Sequence, residues 1–280
     1  MKIKILSDST CDLSAQLLTE HDITLAPLTV IKADQQFQDG VTITPADIFE
    51  HVDNGGALCS TAAVSIGDYA DLFETYSKEY DGVIHITIGS GFSACYQNAT
   101  LAAEDFPNVR IIDSQNLSTG QGLVVLKACE LAKTATDLDA LANELRAYTE
   151  KIEASFLVDK LDYLVKGGRC SSAAALGANL LNLKPCIEVK NGKMGVVKKY
   201  RGNYAKCLAS YVKERLEGRE DIDRTTLFIT RTVVSDECYA AAKDAVQACG
   251  NFGNVYETVA GCTVSCHCGP GTMGILFVRN

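Results

Sequence analysis

Gly82-Val83-Ile84-His85-Ile86-Thr87-Ile88 is nearly all apolar, and Gly89-Ser90-Gly91-Phe92-Ser93 follows it directly. An apolar run of this length reads as a strand covered on both faces, the kind a parallel sheet buries. The glycines let the chain turn, and the next residues predict a helix from Ser93 to Asp105. Upstream, Ile3 to Leu6 reads as a strand, a helix opens at Ser14, and ITLAPLTV from Ile23 reads as a second strand. Thr44 is an N-cap signal with Pro45 at the first helical position. Cys59-Ser60-Thr61 reads as a loop before a helix from Ser65, with Ile66, Tyr69, Leu72, Phe73 and Tyr76 on one stripe. Downstream come a strand at Val109–Asp113 and a long helix from about Gly122. This βαβα succession predicts a parallel sheet with helices on both sides.

After about Ser155 the pattern changes. SFLV is a short strand, and two helical pieces flank Gly167-Gly168-Arg169. PCIEVKNGKMGVVKKY reads as a hairpin turning at Asn191-Gly192, a pair suited to a two-residue turn. Helices at Tyr204–Leu216 and Ser235–Cys249, a strand from Leu227 and a last strand from Gly274 follow. Hairpins mixed with helices predict a mixed or antiparallel sheet. The expectation is therefore an α/β protein of two domains: residues 1–155, with the parallel sheet, and 156–280, with the mixed or antiparallel one.

Of the 280 residues, 47% are hydrophobic and 22% charged, which excludes disordered, collagenous and coiled-coil chains. No apolar run reaches the roughly 20 residues that span a bilayer, and MKIKILSDST lacks the apolar stretch of a signal peptide. A cytoplasmic location is expected. The net charge of -9 leaves no Lys/Arg excess to grip nucleic-acid phosphates or an anionic membrane. Twelve cysteines in a reducing compartment are expected as free thiols serving as small apolar residues. Cys266-His267-Cys268 lacks the second Cys pair of a structural zinc site, so no metal is expected.

Ligands of open parallel sheets bind at the carboxyl ends of the strands. Those ends carry Ser7-Asp8-Ser9-Thr10, Gly89 to Ser93, and Asp113-Ser114 followed by Ser118 and Thr119. Gly89 to Ser93 is the sharpest of them. Its turn and helix start offer unpaired N–H groups beside the Ser93 hydroxyl, a site for a carboxylate or phosphate. Ser93 serving only as an N-cap is the competing account. His267 stands before Gly269-Pro270-Gly271, which reads as a turn holding the imidazole in one direction. It suits an anion contact or acid–base work. His85 reads as a core histidine, and His21 and His51 have weaker cases. No P-loop, HExxH or GxSxG elbow is present, since Ile88 stands where the first elbow glycine belongs. Three classes stay open: a lipid carrier, a phosphotransferase or acyl-transfer enzyme using Ser93 and His267, and a binding module for a small polar anion.

Seven segments in order resemble the DegV family of bacterial fatty-acid-binding proteins. SDSTCDL (Ser7–Leu13) resembles the family's SDSTADL, and STAAVSIGDY from Ser60 its TSQPS-PGDF segment, with Thr61 at the threonine. ITIGSGFSACYQNA (Ile86–Ala99) resembles ISSGLSGTYQSA, with Ser93 at the second serine, and Ile112–Ser114 matches IDS. LDYLVKGGRCS (Leu161–Ser171) resembles LDYLKKGGRIS, and NLLNLKPCIEVKNGKM (Asn179–Met194) resembles LLNIKPIL-DGKI. SCHCGPGTMGILF (Ser265–Phe277) resembles GTHTGPGALGI-F. Ala63 and Val64 depart from the family's Gln-Pro, and Ala94 and Cys95 from its Gly-Thr.

The resemblance implies one long-chain fatty acid enclosed between two domains, its tail in an apolar tunnel. It implies a carboxylate held at Thr61, Ser93 and Ala94, with His267 nearby. It further implies that a separate ATP-binding fatty acid kinase subunit phosphorylates that carboxylate to an acyl-phosphate for phospholipid synthesis. This chain would then be a substrate-binding subunit, with no cofactor and no catalysis of its own. His267 and Arg169 become candidates for assisting the phosphoryl transfer. Arg201, in KKYR, is expected in a surface or salt-bridge role. The imidazole of His267 is expected to be mostly neutral at pH 7 unless an adjacent carboxylate raises its pKa.

Overall fold

In the computed structural model, residues 1–174 and 183–280 are described. The Asn179–Asn182 part of the family-like NLLNLKP segment lies outside them.

The first half builds a four-stranded parallel sheet. It opens with β1 (Ile3–Asp8), a 3-10 turn at Ser9–Cys11, and α1 (Ala15–Glu20), whose cap Ser14 accepts from the Leu17 N–H. The run from Ile23 does not stay one strand. Pro27 cannot donate to a ladder, and the run splits into β2 (Thr24–Ala26) and β3 (Thr29–Lys32). A polar strand, β4 (Gln35–Gln38), follows; its exposed Gln-rich sequence gave no apolar signal. α2 (Pro45–Asp53) has the capping box its Thr44 and Pro45 announce, with Asp47 as reciprocal partner. Thr61 lies not in a loop but in β5 (Ser60–Ala62), which pairs antiparallel with β3.

Next come α3 (Ile66–Glu79), β6 (Gly82–Thr87), α4 (Cys95–Ala103) and β7 (Val109–Asp113). The expected stripe on α3 is real at Tyr69 and Phe73, both fully buried, while Ile66 is exposed. All six residues of β6 are buried, as a strand covered on both faces requires. The long helix expected from about Gly122 is two helices, α5 (Thr119–Ala132) and α6 (Leu138–Thr149).

The second half holds β8 (Ile152–Val158), α7 (Asp162–Gly167), α8 (Ser171–Ala174), β9 (Leu183–Lys190) and β10 (Lys193–Arg201). The turn between β9 and β10 is at Asn191-Gly192, both with positive φ, as read from the sequence. Then come α9 (Tyr204–Leu216), β11 (Ile222–Arg231), α10 (Asp236–Ala248), β12 (Asn254–Val259), α11 (Cys262–Cys268) and β13 (Thr272–Arg279).

Three sheets result among the described residues. β2-β1-β6-β7 is wholly parallel; β10-β9-β8-β13-β11-β12 is mixed, parallel only between β11 and β12; β4-β3-β5 is a small antiparallel ribbon. The fold class is the expected one, a parallel α/β layer with a second, mixed-sheet domain. α5 touches both large sheets. That explains why its sequence, TGQGLVVLKACELA, is apolar on nearly every side. The fold thus leaves the Gly89–Ser93 loop, β5 and α11 meeting where the three sheets approach.

Eleven of the twelve cysteines are buried and Cys249 is half-buried; all are free thiols. Burial pushes Cys11, Cys95, Cys129, Cys262 and Cys268 up to about 12, so these sulfurs stay protonated and pack as small apolar groups. Among the described residues, no group of three or more His, Cys, Asp or Glu side chains gathers as metal ligands do.

Candidate functional site

α11 carries the site histidine, and its position is set from its N-terminal end. The Gly261 N–H donates to Asp12 Oδ1 at 2.9 Å, and the Cys262 and Thr263 N–H groups donate to Asp39 at 2.8 and 3.2 Å. The oxygens of these two acidic side chains accept from donors that the first turn of a helix leaves open. Ser118 and Ser9 hydroxyls donate to Asp12 and Asp39 in turn. A Cβ on Gly261 would lie 2.8 Å from Asp12 Oδ1, so only glycine leaves the carboxylate its place. On the other side of α11, Cys262 and Cys266 pack with Cys59, Val30, Ile48 and Phe49. That contact docks the helix on the β3–β5 ribbon and brings His267 opposite Thr61.

His267 therefore stands in a helix, not in the Gly-Pro-Gly turn, which begins only at its end. Its Nε2 lies 2.8 Å from Thr61 Oγ1. Its Nδ1 has no partner among the described residues and faces Gly167, where a Cβ would come within 2.7 Å of it. A bare acceptor is tolerated in a buried place more readily than an unpaired N–H. We assign the proton to Nε2 on that ground. Nε2 then donates to Thr61 Oγ1, and the threonine hydroxyl keeps its own proton for something else.

Ser93 is not the N-cap of α4; Ala94 occupies that position, and its side chain makes no cap. The Ser93 hydroxyl donates to Cys95 Sγ at 3.2 Å and accepts from the Cys95 N–H at 3.3 Å. The loop before it is fixed by Asp113, which accepts from the Ser90 N–H, the Ser90 hydroxyl and the Gln115 N–H. A Cβ on Gly91 would run into the Gly192 carbonyl oxygen, so the hairpin tip rests on this loop.

Thr61, Ser93, Ala94, Arg169 and His267 all line one cavity of about 210 Å³. Its mouth is polar: Thr61, Ser93 and His267 are half-buried, while Ala94 and Arg169 are exposed. Its inner wall is apolar, with Leu28, Ile88, Phe92, Leu117 and Met194. Leu117, Val264 and Cys268 also line a second, narrower cavity of about 30 Å³ behind it, walled by Phe156, Val189 and Leu276. The two cavities share the wall made by Leu117, Val264 and Cys268; the hydrogen-bonding groups of the outer one lie on its far side, and the inner one adds Thr230, Thr232 and Thr272 to its apolar lining. A roomier depression around Thr149, Glu150 and Lys190 is polar and holds none of Thr61, Ser93, Ala94, Arg169 or His267. Arg201 is exposed at the end of β10 and forms no ion pair among the described residues.

The strand-end hydroxyls of the first strand turn out to be internal. Ser7, Asp8 and Thr10 are fully buried, and Asp8 serves Tyr69, His85 and the Ile88 N–H. His85 is a core histidine with one nitrogen paired; its Nδ1 has no partner among the described residues. Thr263 is a cavity residue that the sequence did not single out.

A family model described as an uncharacterised protein of the DegV family matches residues 2–280. The chain belongs to the DegV family. A DegV domain-containing protein of Clostridium acetobutylicum is 31% identical over 282 residues, covering 99% of each chain. A solved fatty-acid-binding DegV family protein from Thermus thermophilus superposes with a TM-score of 0.89 at 31% identity, covering 100% of both chains. A stearic-acid-binding protein from Eubacterium ventriosum gives 0.81 at 26% identity, covering 99% and 98%.

In this DegV chain, burial, reinforced by the nearby Arg169 guanidinium, lowers the His267 pKa to about 4. Burial thus favours the neutral imidazole at pH 7. In the unfolded chain the same group titrates near ~6.5. Between those values the unfolded state binds a proton that the folded state refuses. The stabilising contribution is complete above about 6.5 and is lost as pH falls toward 4, by at most roughly 3 kcal/mol. Asp12 runs the other way. Burial pushes it up to about 8, so its contribution is full below ~3.9 and fades as pH rises through 8. Bulk stability mixes the two, and the discriminating measurement is the His267 ring resonance by NMR. No inflection is expected between pH 5.5 and 8; an ordinary titration near 6.5 would contradict the buried, neutral assignment.

Proposed function

We propose that this chain binds one long-chain fatty acid, with the carboxylate at Thr61, Ser93 and Ala94 and the tail in the apolar passage past Leu117. The observation that carries the reading is the two-ended cavity: hydrogen-bond donors at a half-buried mouth and hydrocarbon behind them. Fatty-acid binding by the Thermus thermophilus and Eubacterium ventriosum relatives supports it. Burying each CH₂ is worth about 0.8 kcal/mol, so a sixteen-carbon tail gains on the order of 10 kcal/mol before ordering costs. The carboxylate must keep partners on leaving water or forfeit several kcal/mol. Thr61 is suited to this because His267 Nε2 occupies one of its lone pairs and leaves its proton to the ligand. His267 is in this reading a positioning residue.

The finer proposal is that the bound carboxylate is presented to a separate ATP-using kinase subunit, which forms an acyl-phosphate for phospholipid synthesis. It rests on the family resemblance and on the placement of the head-group site at the mouth. Arg169, exposed there and held by its own contact to the Gly167 carbonyl, is the cation within reach of an arriving phosphoryl group. The acyl-transfer alternative needs Ser93 paired with His267. Instead Ser93 engages Cys95 and His267 engages Thr61.

Mass spectrometry of an organic extract of the purified protein tests the first step. Long-chain acids near one per chain are expected; their absence, together with failure to take up added hexadecanoate, would overturn it. For the second step, Arg169→Ala should depress kinase-dependent acyl-phosphate formation while leaving fatty-acid occupancy intact. Unchanged phosphorylation removes Arg169 from that role.

A further inference from the structure

The Thr263 hydroxyl has no hydrogen-bond partner among the described residues, although the side chain is only 5% exposed and lines the head-group cavity. A buried polar group without a partner is rare and costs stability, so each one calls for an account.

Helical phase supplies it. Thr263 and His267 are four residues apart on α11, so they share one face, roughly one turn (about 5.4 Å) apart. Val264 and Cys268, the next pair, line both the outer and the inner cavity, whereas Thr263 and His267 line only the outer one. The helix thus presents an apolar pair toward the tail passage and a polar pair toward the head-group end. The backbone N–H of Thr263 is held by Asp39, which fixes where its side chain sits.

We infer that Thr263 is a further ligand-binding residue, whose hydroxyl donates to the carboxylate of the bound acid beside Thr61 and Ser93. The inference rests on the fatty-acid reading and adds to it a third hydroxyl donor, on a different element from the other two. A carboxylate has room for all three, since its two oxygens offer about four lone-pair sites. The hydroxyl has no other partner among the described residues, and a ligand carboxylate would supply the acceptor.

The test compares Thr263→Val, which keeps the shape, with Thr263→Ser, which keeps the hydroxyl. Binding of hexadecanoic acid and of hexadecan-1-ol to delipidated protein is measured for both. Thr263→Val should weaken hexadecanoate about tenfold, as loss of a hydrogen bond to a charged group does, and change the alcohol less than twofold. Thr263→Ser should stay within about threefold of wild type for both. Unchanged hexadecanoate affinity in Thr263→Val would overturn the inference, as would equal weakening of acid and alcohol, which marks a packing effect. If wild type bound no hexadecanoate, the fatty-acid reading would fall and this one with it. Wild-type binding with an indifferent Thr263→Val sinks only the inference. Should Thr263→Val not fold, a crystal structure of wild type with hexadecanoate decides. Oγ1 within hydrogen-bond distance of the carboxylate supports the assignment, and a longer separation refutes it.

Discussion

Thr61→Val combined with Ser93→Ala is expected to weaken hexadecanoate binding by about 100-fold or more while leaving the fold intact. Each hydroxyl is assigned one hydrogen bond to the carboxylate, and bonds to charged groups contribute about 1.5–3 kcal/mol apiece. Two of them amount to two or more powers of ten. Removing the Thr61 hydroxyl leaves the His267 Nε2 proton without an acceptor, so a stability loss of about 1–3 kcal/mol accompanies the change without unfolding the protein. The tail contribution remains, which is why binding should drop and not vanish. Thr61→Val alone also strands the His267 Nε2 proton, and Thr61→Ser should restore most of the loss. A titration on delipidated protein decides the matter. Retention of affinity within threefold by the double variant would place the carboxylate elsewhere in the cavity.

The parallel half was legible because a nearly all-apolar run is a strand buried along its whole length. Gly82 to Ile88 needs two covered faces, and β6 has them. The Gly89–Ser93 loop was legible for a related reason: glycines after a buried strand announce a turn, and Gly91 is pressed against the hairpin tip. Thr61 had no such signal. It sits in a three-residue strand paired with the distant β3, where Val30 faces Thr61; the sequence reads it as one of several loop hydroxyls at one edge, and the family resemblance singles it out. His267 reads from the sequence as a turn residue and stands instead in α11. CTVSCHC is rich in residues of poor helix propensity, yet Asp12 and Asp39 cap it and Cys59 packs on it, so tertiary contacts override local preference. Ser7 to Thr10 misled in the opposite sense. Polar residues at a strand end resemble a binding edge until their burial is known. Thr263 was invisible, because a missing partner is a property of three dimensions and leaves no mark in a string of letters.

Asp8→Ala is expected to be the most destabilising single change in the parallel domain. Asp8 Oδ1 accepts from the Tyr69 hydroxyl at 2.6 Å and from His85 Nε2 at 2.9 Å, and Oδ2 accepts from the Ile88 N–H at 2.9 Å. Asp8, Tyr69 and His85 are all fully buried, so no water replaces the lost acceptor. Leaving a buried donor unsatisfied costs about 1–3 kcal/mol. With three donors stranded and the space of a carboxylate emptied, a loss of about 4 kcal/mol is expected. For a chain of this size that lowers Tm by roughly 10 °C. Tyr69→Phe removes one donor and leaves the other two bonds, so it should cost only about 1–2 kcal/mol. The two variants should also differ in function. The Ile88 N–H lies directly before the Gly89–Ser93 loop, and Ile88 lines the cavity, so Asp8→Ala should loosen the loop that carries Ser93 and reduce hexadecanoate affinity. Tyr69→Phe keeps that anchor and should bind as wild type does. Urea denaturation and ligand titration of both variants check the pair of effects. A loss below about 1 kcal/mol in Asp8→Ala would show that its three donors find other partners, and that the buried carboxylate is not what holds the site loop to the sheet.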